Sequence, residues 1–193
     1  MAKNEGDRSA QASDGPGKGD GPRNDGAGAG AGADLASPKR GYTKASYDAA
    51  YAHAVAGRTA EAEALCRRIL KGDPRNAEAL HLLGGIAAQS GNARFAIEFF
   101  TRALAAEPDF AKAHSNLGLV LLGQGQTEEA VDHFEKAIQL EPNLAMAHNN
   151  LGNALMRSGR IADAEKAFSR AVKFETENEL AHNNLGTAML HQG

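Results

Sequence analysis

The sequence predicts an all-α fold, a solenoid of stacked antiparallel helix pairs behind a disordered tail. Three observations carry this. Residues recur at a fixed step of 34 positions from residue 43 onward, and apolar side chains inside each step follow helical spacing. The third is the placement of glycine: 9 of the 22 glycines lie in the first 40 of 193 residues, a stretch without one aromatic side chain.

In that stretch Met1 and Leu35 are the only apolar side chains besides alanine, so it has nothing from which to build a core. Six basic residues (Lys3, Arg8, Lys18, Arg23, Lys39, Arg40) balance six acidic ones (Glu5, Asp7, Asp14, Asp20, Asp25, Asp34). Residues 1–42 are therefore expected to form a disordered Gly/Ala-rich tail. The run Gly26 to Gly32 has no apolar strand before it and no helix directly after it, the context a phosphate-binding glycine loop requires. No apolar run long enough for a secretory signal or a membrane span appears, which points to a cytoplasmic protein with no membrane partner. A net charge of −3 excludes the uniformly basic surface of a non-specific nucleic-acid binder. One cysteine, Cys66, cannot form an internal disulfide or a multi-cysteine metal site.

The repeating part divides into units 43–76, 77–110, 111–144 and 145–178 and a half unit 179–193. Within a unit, Leu80, Leu83 and Ala87 mark one amphipathic helix and Phe95, Phe99, Ala103 and Ala106 a second, with Arg102 lying among them. Gly57, Gly91, Gly125, Gly159 and Gly193 fall at the turn, where a left-handed residue ends the first helix without a Cβ penalty. Pro74, Pro108 and Pro142 stop the second helix, and Thr176 stands in the fourth place. Gly84, Gly118, Gly152 and Gly186, each preceded by leucine, recur at the same step, as do Ala62, Ala96, Ala130 and Ala164, and small pairs such as Gly118 with Ala130 let the two helices of a unit approach closely. Phe100, Phe134 and Phe168 form a further column, with Cys66 in the first unit, which reads as a small buried hydrophobe.

These columns resemble the tetratricopeptide repeat family over residues 43–193, closest in style to the repeat domain of O-linked N-acetylglucosamine transferases, as in the run Ala147-His-Asn-Asn-Leu-Gly-Asn153. The resemblance implies a right-handed superhelix whose first helices line a concave groove. It also implies a protein-protein interaction scaffold without chemistry or a cofactor of its own. The first unit departs from the pattern at Ser46, Ala49 and Ala50 and is expected to be an atypical cap.

Side-chain direction places the residue before each recurring leucine on the concave side: Leu82, Asn116, Asn150 and Asn184. Asn149, Asn153 and Asn183 flank them, and Lys112 and Arg157 are the fixed charges nearby. An amide offers two donors and an acceptor, so a column of asparagines can hold an extended peptide or protein segment by its main chain. As a surface column it is expected to carry no packing demand. The family's carboxylate clamp, which grips acidic chaperone tails, needs basic residues where this chain has His81, Ser115, Asn149 and Asn183.

His114, His148 and His182 also recur, but successive helices pack 8–10 Å apart, too far for one column to converge on an ion, so no metal site is expected there. Gly118 to Gly123 has Walker-loop spacing but leads into Gln124 and lies within a helix. Glu128, Glu129, Asp132 and Glu135 read as a solvated helix exterior, so no catalytic residues are assigned and the chain is not expected to be an enzyme. The half unit keeps Leu185, Gly186 and Met189, the face a second helix would cover. That uncapped face predicts a piece of a longer protein, or self-association through the last helix. The alternative function is accordingly a substrate-recognition arm of a glycosyltransferase, sulfotransferase or methyltransferase whose catalytic domain lies beyond residue 193.

Overall fold

The computed structural model describes residues 44–191, and the expected tail over 1–42 and the turn glycine Gly193 lie outside that range. The described residues form helices α1 (Lys44–Val55), α2 (Thr59–Gly72), α3 (Ala77–Gln89), α4 (Ala93–Ala106), α5 (Ala111–Gly123), α6 (Thr127–Leu140), α7 (Ala145–Arg157), α8 (Ile161–Phe174) and α9 (Glu179–Leu190), with no strand among them. Each 34-residue unit is one pair, and the half unit is α9 alone.

Local chemistry fixes the helix ends. Gly57, Gly91, Gly125 and Gly159 have φ between 72° and 81°, the left-handed region that a Cβ would strain. At each turn the bonding is of the Schellman kind: Asn92 N–H donates to the Ala87 carbonyl at 2.9 Å and Gly91 N–H to that of Ala88 at 3.0 Å. Asn76, Asn92 and Asn178 cap α3, α4 and α9, each accepting from the main-chain N–H three residues on.

The core runs between the helices of each pair. A Cβ built on Gly84, Gly118 or Gly152 would meet the ring of Phe100, Phe134 or Phe168 at 2.6, 2.9 and 2.5 Å. The glycine is the socket in which the aromatic ring sits, and all three rings are buried. The first unit solves the same contact with reversed sizes: Ala50 replaces the glycine, Cys66 replaces the phenylalanine, and both are buried in one cluster with Leu83. Burial pushes the Cys66 thiol up to about 11, so it stays protonated.

First helices of successive units touch one another (α1 with α3, α3 with α5, α5 with α7, α7 with α9), whereas second helices of successive units do not. The first helices therefore line the inner side of the curve and the second helices splay on the outer side. On α9 the apolar face is open, with Met189 and Leu190 exposed and nothing among the described residues near the Gly186 socket. No helix among the described residues is long and apolar enough to cross a membrane.

Candidate functional site: the concave polar ladder

Neighbouring first helices are joined across the concave face by polar contacts that step 35 residues. Asn116 Nδ2 on α5 donates to His81 Nε2 on α3 at 2.9 Å. Asn184 Nδ2 on α9 donates to Asn149 Oδ1 on α7 at 2.9 Å. Arg157 Nη1 donates to the Leu122 carbonyl at 2.8 Å, the same 35-residue step. The step is one longer than the repeat, so the residue at one position meets the next position of the following unit.

The first contact fixes the state of His81. Its Nε2 accepts, so the ring is neutral with its proton on Nδ1. Burial, with a contribution from the Lys112 ammonium, lowers its pKa to about 4.

Between these two rungs the same step pairs Ser115 with Asn150, and that rung is open. The Ser115 hydroxyl is buried, 2% exposed, with no hydrogen-bond partner. Asn150 is 7% exposed, and its amide bonds to no described residue. Serine is shorter than histidine or asparagine and does not span to the next helix. An unsatisfied buried polar group costs about 1–3 kcal/mol, so this rung is the place on the ladder with most to gain from an added donor and acceptor.

The expected surface column of Asn116, Asn150 and Asn184 is thus corrected. Asn149 and Asn150 are buried, and Asn116 and Asn184 are committed to their neighbours. Asn183 and Lys112 are exposed. Asn153, Arg157 and Asn184 come together with Thr187, Met156 and Leu122 around a cleft of about 340 Å³ at the α7–α9 end of the face. The participation of His81 and Asn149 as rung partners was visible only as a column beside the asparagines; the 35-residue offset is the signal that joins the two columns.

The histidine column is structural in its outer nitrogen. His114, His148 and His182 each place Nε2 within 3.0 Å of the carbonyl six residues earlier, at Pro108, Pro142 and Thr176. His148 is buried and stacks on Phe174 with centroids 5.5 Å apart. Glu128, Glu129, Asp132 and Glu135 are exposed along α6, and Gly118 to Gly123 lies within α5.

No curated protein matches the chain in sequence. Solved structures share its fold. The pilF protein of Pseudomonas aeruginosa is 23% identical, with a TM-score of 0.72, over 77% of this chain and 68% of that one. YrrB, described as a TPR protein with an unusual peptide-binding site, is 21% identical over 72% of each chain, with a TM-score of 0.61. The first TPR of Spaghetti (RPAP3), bound to the HSP90 peptide SRMEEVD, is 21% identical over 60% of this chain and 94% of that one, with a TM-score of 0.59. Models of the tetratricopeptide repeat match residues 54–119, 111–144 and 145–178. With the glycine-aromatic sockets, left-handed turns and paired helices already in place, those matches show that the chain belongs to the tetratricopeptide repeat family.

Proposed function

We propose that the protein is an interaction scaffold whose concave face holds an extended segment of a partner protein, read through its main chain at the open Ser115–Asn150 rung. The observation that carries this is the buried, unpartnered Ser115 hydroxyl in an otherwise self-bonded ladder, with Asn150 one 35-residue step on making no hydrogen bond to a described residue. A peptide unit supplies one donor and one acceptor, the complement of the Asn150 amide. Peptide binding by YrrB and by the RPAP3 repeat domain supports the mode. An acidic-tail ligand fits less well, since Lys112 stands alone, Arg157 is bonded to a carbonyl and His81 is neutral.

The test selects binders from a display library of random extended peptides and compares their affinity for the wild-type chain, Asn150→Ala and Asn183→Ala. Losing a main-chain hydrogen bond is worth about 1–2 kcal/mol, so Asn150→Ala is expected to weaken selected peptides about tenfold. Its thermal melt stays near wild type, because the amide has no partner to lose. Asn183→Ala, at an exposed position, is expected to leave affinity unchanged. Equal affinity for wild type and Asn150→Ala would remove the open rung from the site.

A further inference from the structure

We propose that the groove between α6 and α8, on the outer side of the solenoid, is a second docking site, which takes one donor-bearing aromatic side chain, tyrosine or tryptophan, from an acidic segment of a partner protein. The site is separate from the concave face and does not rest on its function.

The repeat itself marks the seat. One position on the second helices, at the 34-residue step, holds Leu65, Phe99, His133 and Ala167. In the second unit Phe99 walls the groove between α2 and α4, where the cavity is about 270 Å³. In the third, His133 reaches back to His114 on α5. In the fourth the side chain stops at Cβ, and the corresponding cavity between α6 and α8 opens to about 440 Å³. The two helices do not pack on each other, so neither covers it. What the seat lacks is one large side chain, and the volume lies toward the lower end of ligand pockets, which suits one such anchor.

The lining selects the kind of side chain. Leu151 and Leu155 of α7, Ile138 of α6 and Ala167 make the apolar part. His148, 2% exposed, adds one polar atom. Its Nε2 donates to the Pro142 carbonyl at 2.8 Å, so the neutral ring carries its proton there and Nδ1 is left to accept. In the third unit the equivalent Nδ1, that of His114, meets the side chain at 133 at 2.9 Å. Behind His148 the residue at that position is Ala167, and Nδ1 has no partner among the described residues. An aliphatic or phenylalanine occupant would bury this acceptor unmet. A phenol O–H or an indole N–H meets it while the ring fills the apolar seat.

The rim charges select the flanking residue. Arg160 and Lys166 share Asp163, at 3.0 and 3.2 Å, and Arg170 has no ion-pair partner among the described residues. With Glu135 on the α6 wall, three cations stand against two carboxylates. A carboxylate next to the aromatic anchor is the complement of this excess. At an exposed rim it orients the segment, while the buried anchor supplies most of the affinity.

The experiment titrates the full chain, labelled at its leucine and alanine methyls, with acetylated tetrapeptide amides Gly-Asp-Xaa-Gly in which Xaa is Tyr, Trp or Phe, and follows the methyl shifts by NMR. The variants Ala167→Leu and Ala167→Phe put back the residues that fill this seat in the first and second units; two fillers keep the test valid if one of them does not fold. Wild type is expected to show saturable shifts at the Leu151, Leu155 and Ala167 methyls with the Tyr or Trp probe, and affinity about fivefold or more lower for the Phe probe, which cannot donate to His148. A folded filler variant is expected to bind at least about tenfold more weakly. Replacing the probe's Asp by Asn is expected to weaken binding about twofold at low salt. Absence of saturable shifts at those methyls in the wild type, or unchanged affinity in a folded filler variant, would overturn the site. A Phe probe that binds as tightly as both others would overturn the donor-bearing anchor, and an Asn probe as tight as the Asp probe would overturn the acidic flank.

Discussion

The glycine sockets allow one substitution to be asked twice with opposite answers. In Gly152→Ala the new Cβ lies 2.5, 2.6 and 2.7 Å from three atoms of the Phe168 ring, about 1 Å inside ordinary carbon contact. The ring is 1% exposed and lines the cleft of about 340 Å³ at the α7–α9 end, so it must leave its seat on α7 and shift toward that cleft to clear the new Cβ. Overpacking of this kind costs about 1–3 kcal/mol, against which alanine recovers about 1 kcal/mol of helix propensity over glycine. Three contacts this short belong in the upper part of that range, about 2–3 kcal/mol, which leaves a net loss of about 1–2 kcal/mol. At Gly186, in the same column, nothing among the described residues lies within 4 Å of the new Cβ. There the propensity gain stands alone, and Gly186→Ala is expected to stabilise α9 by up to about 1 kcal/mol. Thermal melts by circular dichroism should separate the two variants by about 5–10 °C, at about 2–4 °C per kcal/mol for a chain of this size. Hydrogen exchange of the α9 amides reads the second effect where local fraying hides it from the global melt. Two equally destabilised variants, or a Gly152→Ala protein that melts like wild type, would refute the assignment of this column to ring contacts.

Acid should weaken the fold through His81. Its folded pKa of about 4 lies below the ordinary 6.5, so the unfolded chain takes up the proton first. Stability is full above about pH 6.5, declines as the pH falls toward about 4, and then levels off, a loss of up to about 3 kcal/mol. Urea midpoints across that window should show a smaller decline for His81→Gln than for wild type; identical profiles would exclude His81 as the source. Arg157→Ala removes a charged donor from the Leu122 carbonyl at 2.8 Å and is expected to cost about 1 kcal/mol, visible as a melt lowered by a few degrees. A melt unmoved by that substitution would mean that the bond between α5 and α7 contributes nothing net.

The fold was legible in the sequence because each contact that defines a pair falls inside one unit. Gly152 needs Phe168, and Gly91 needs a left-handed turn, so both must return every 34 residues wherever a pair forms. The concave site was legible only as to which residues face inward. Its bonds run between units, where stacking adds one residue to the repeat, so a column in register with the repeat contains residues that never bond to one another. His81 and Asn116, or Asn149 and Asn184, belong to different columns. An asparagine in this ladder is therefore engaged or free according to the side chain 35 positions earlier. Asn116 and Asn184 find a histidine and an asparagine long enough to reach, and close on themselves. Asn150 finds Ser115, whose hydroxyl is itself orphaned, and that single short side chain converts a self-sealed polar seam into one with a vacancy at its middle. A longer residue at 115 should therefore close the seam as effectively as removing Asn150 disables it, because the availability of the amide is decided by its neighbour's length and not by the asparagine itself.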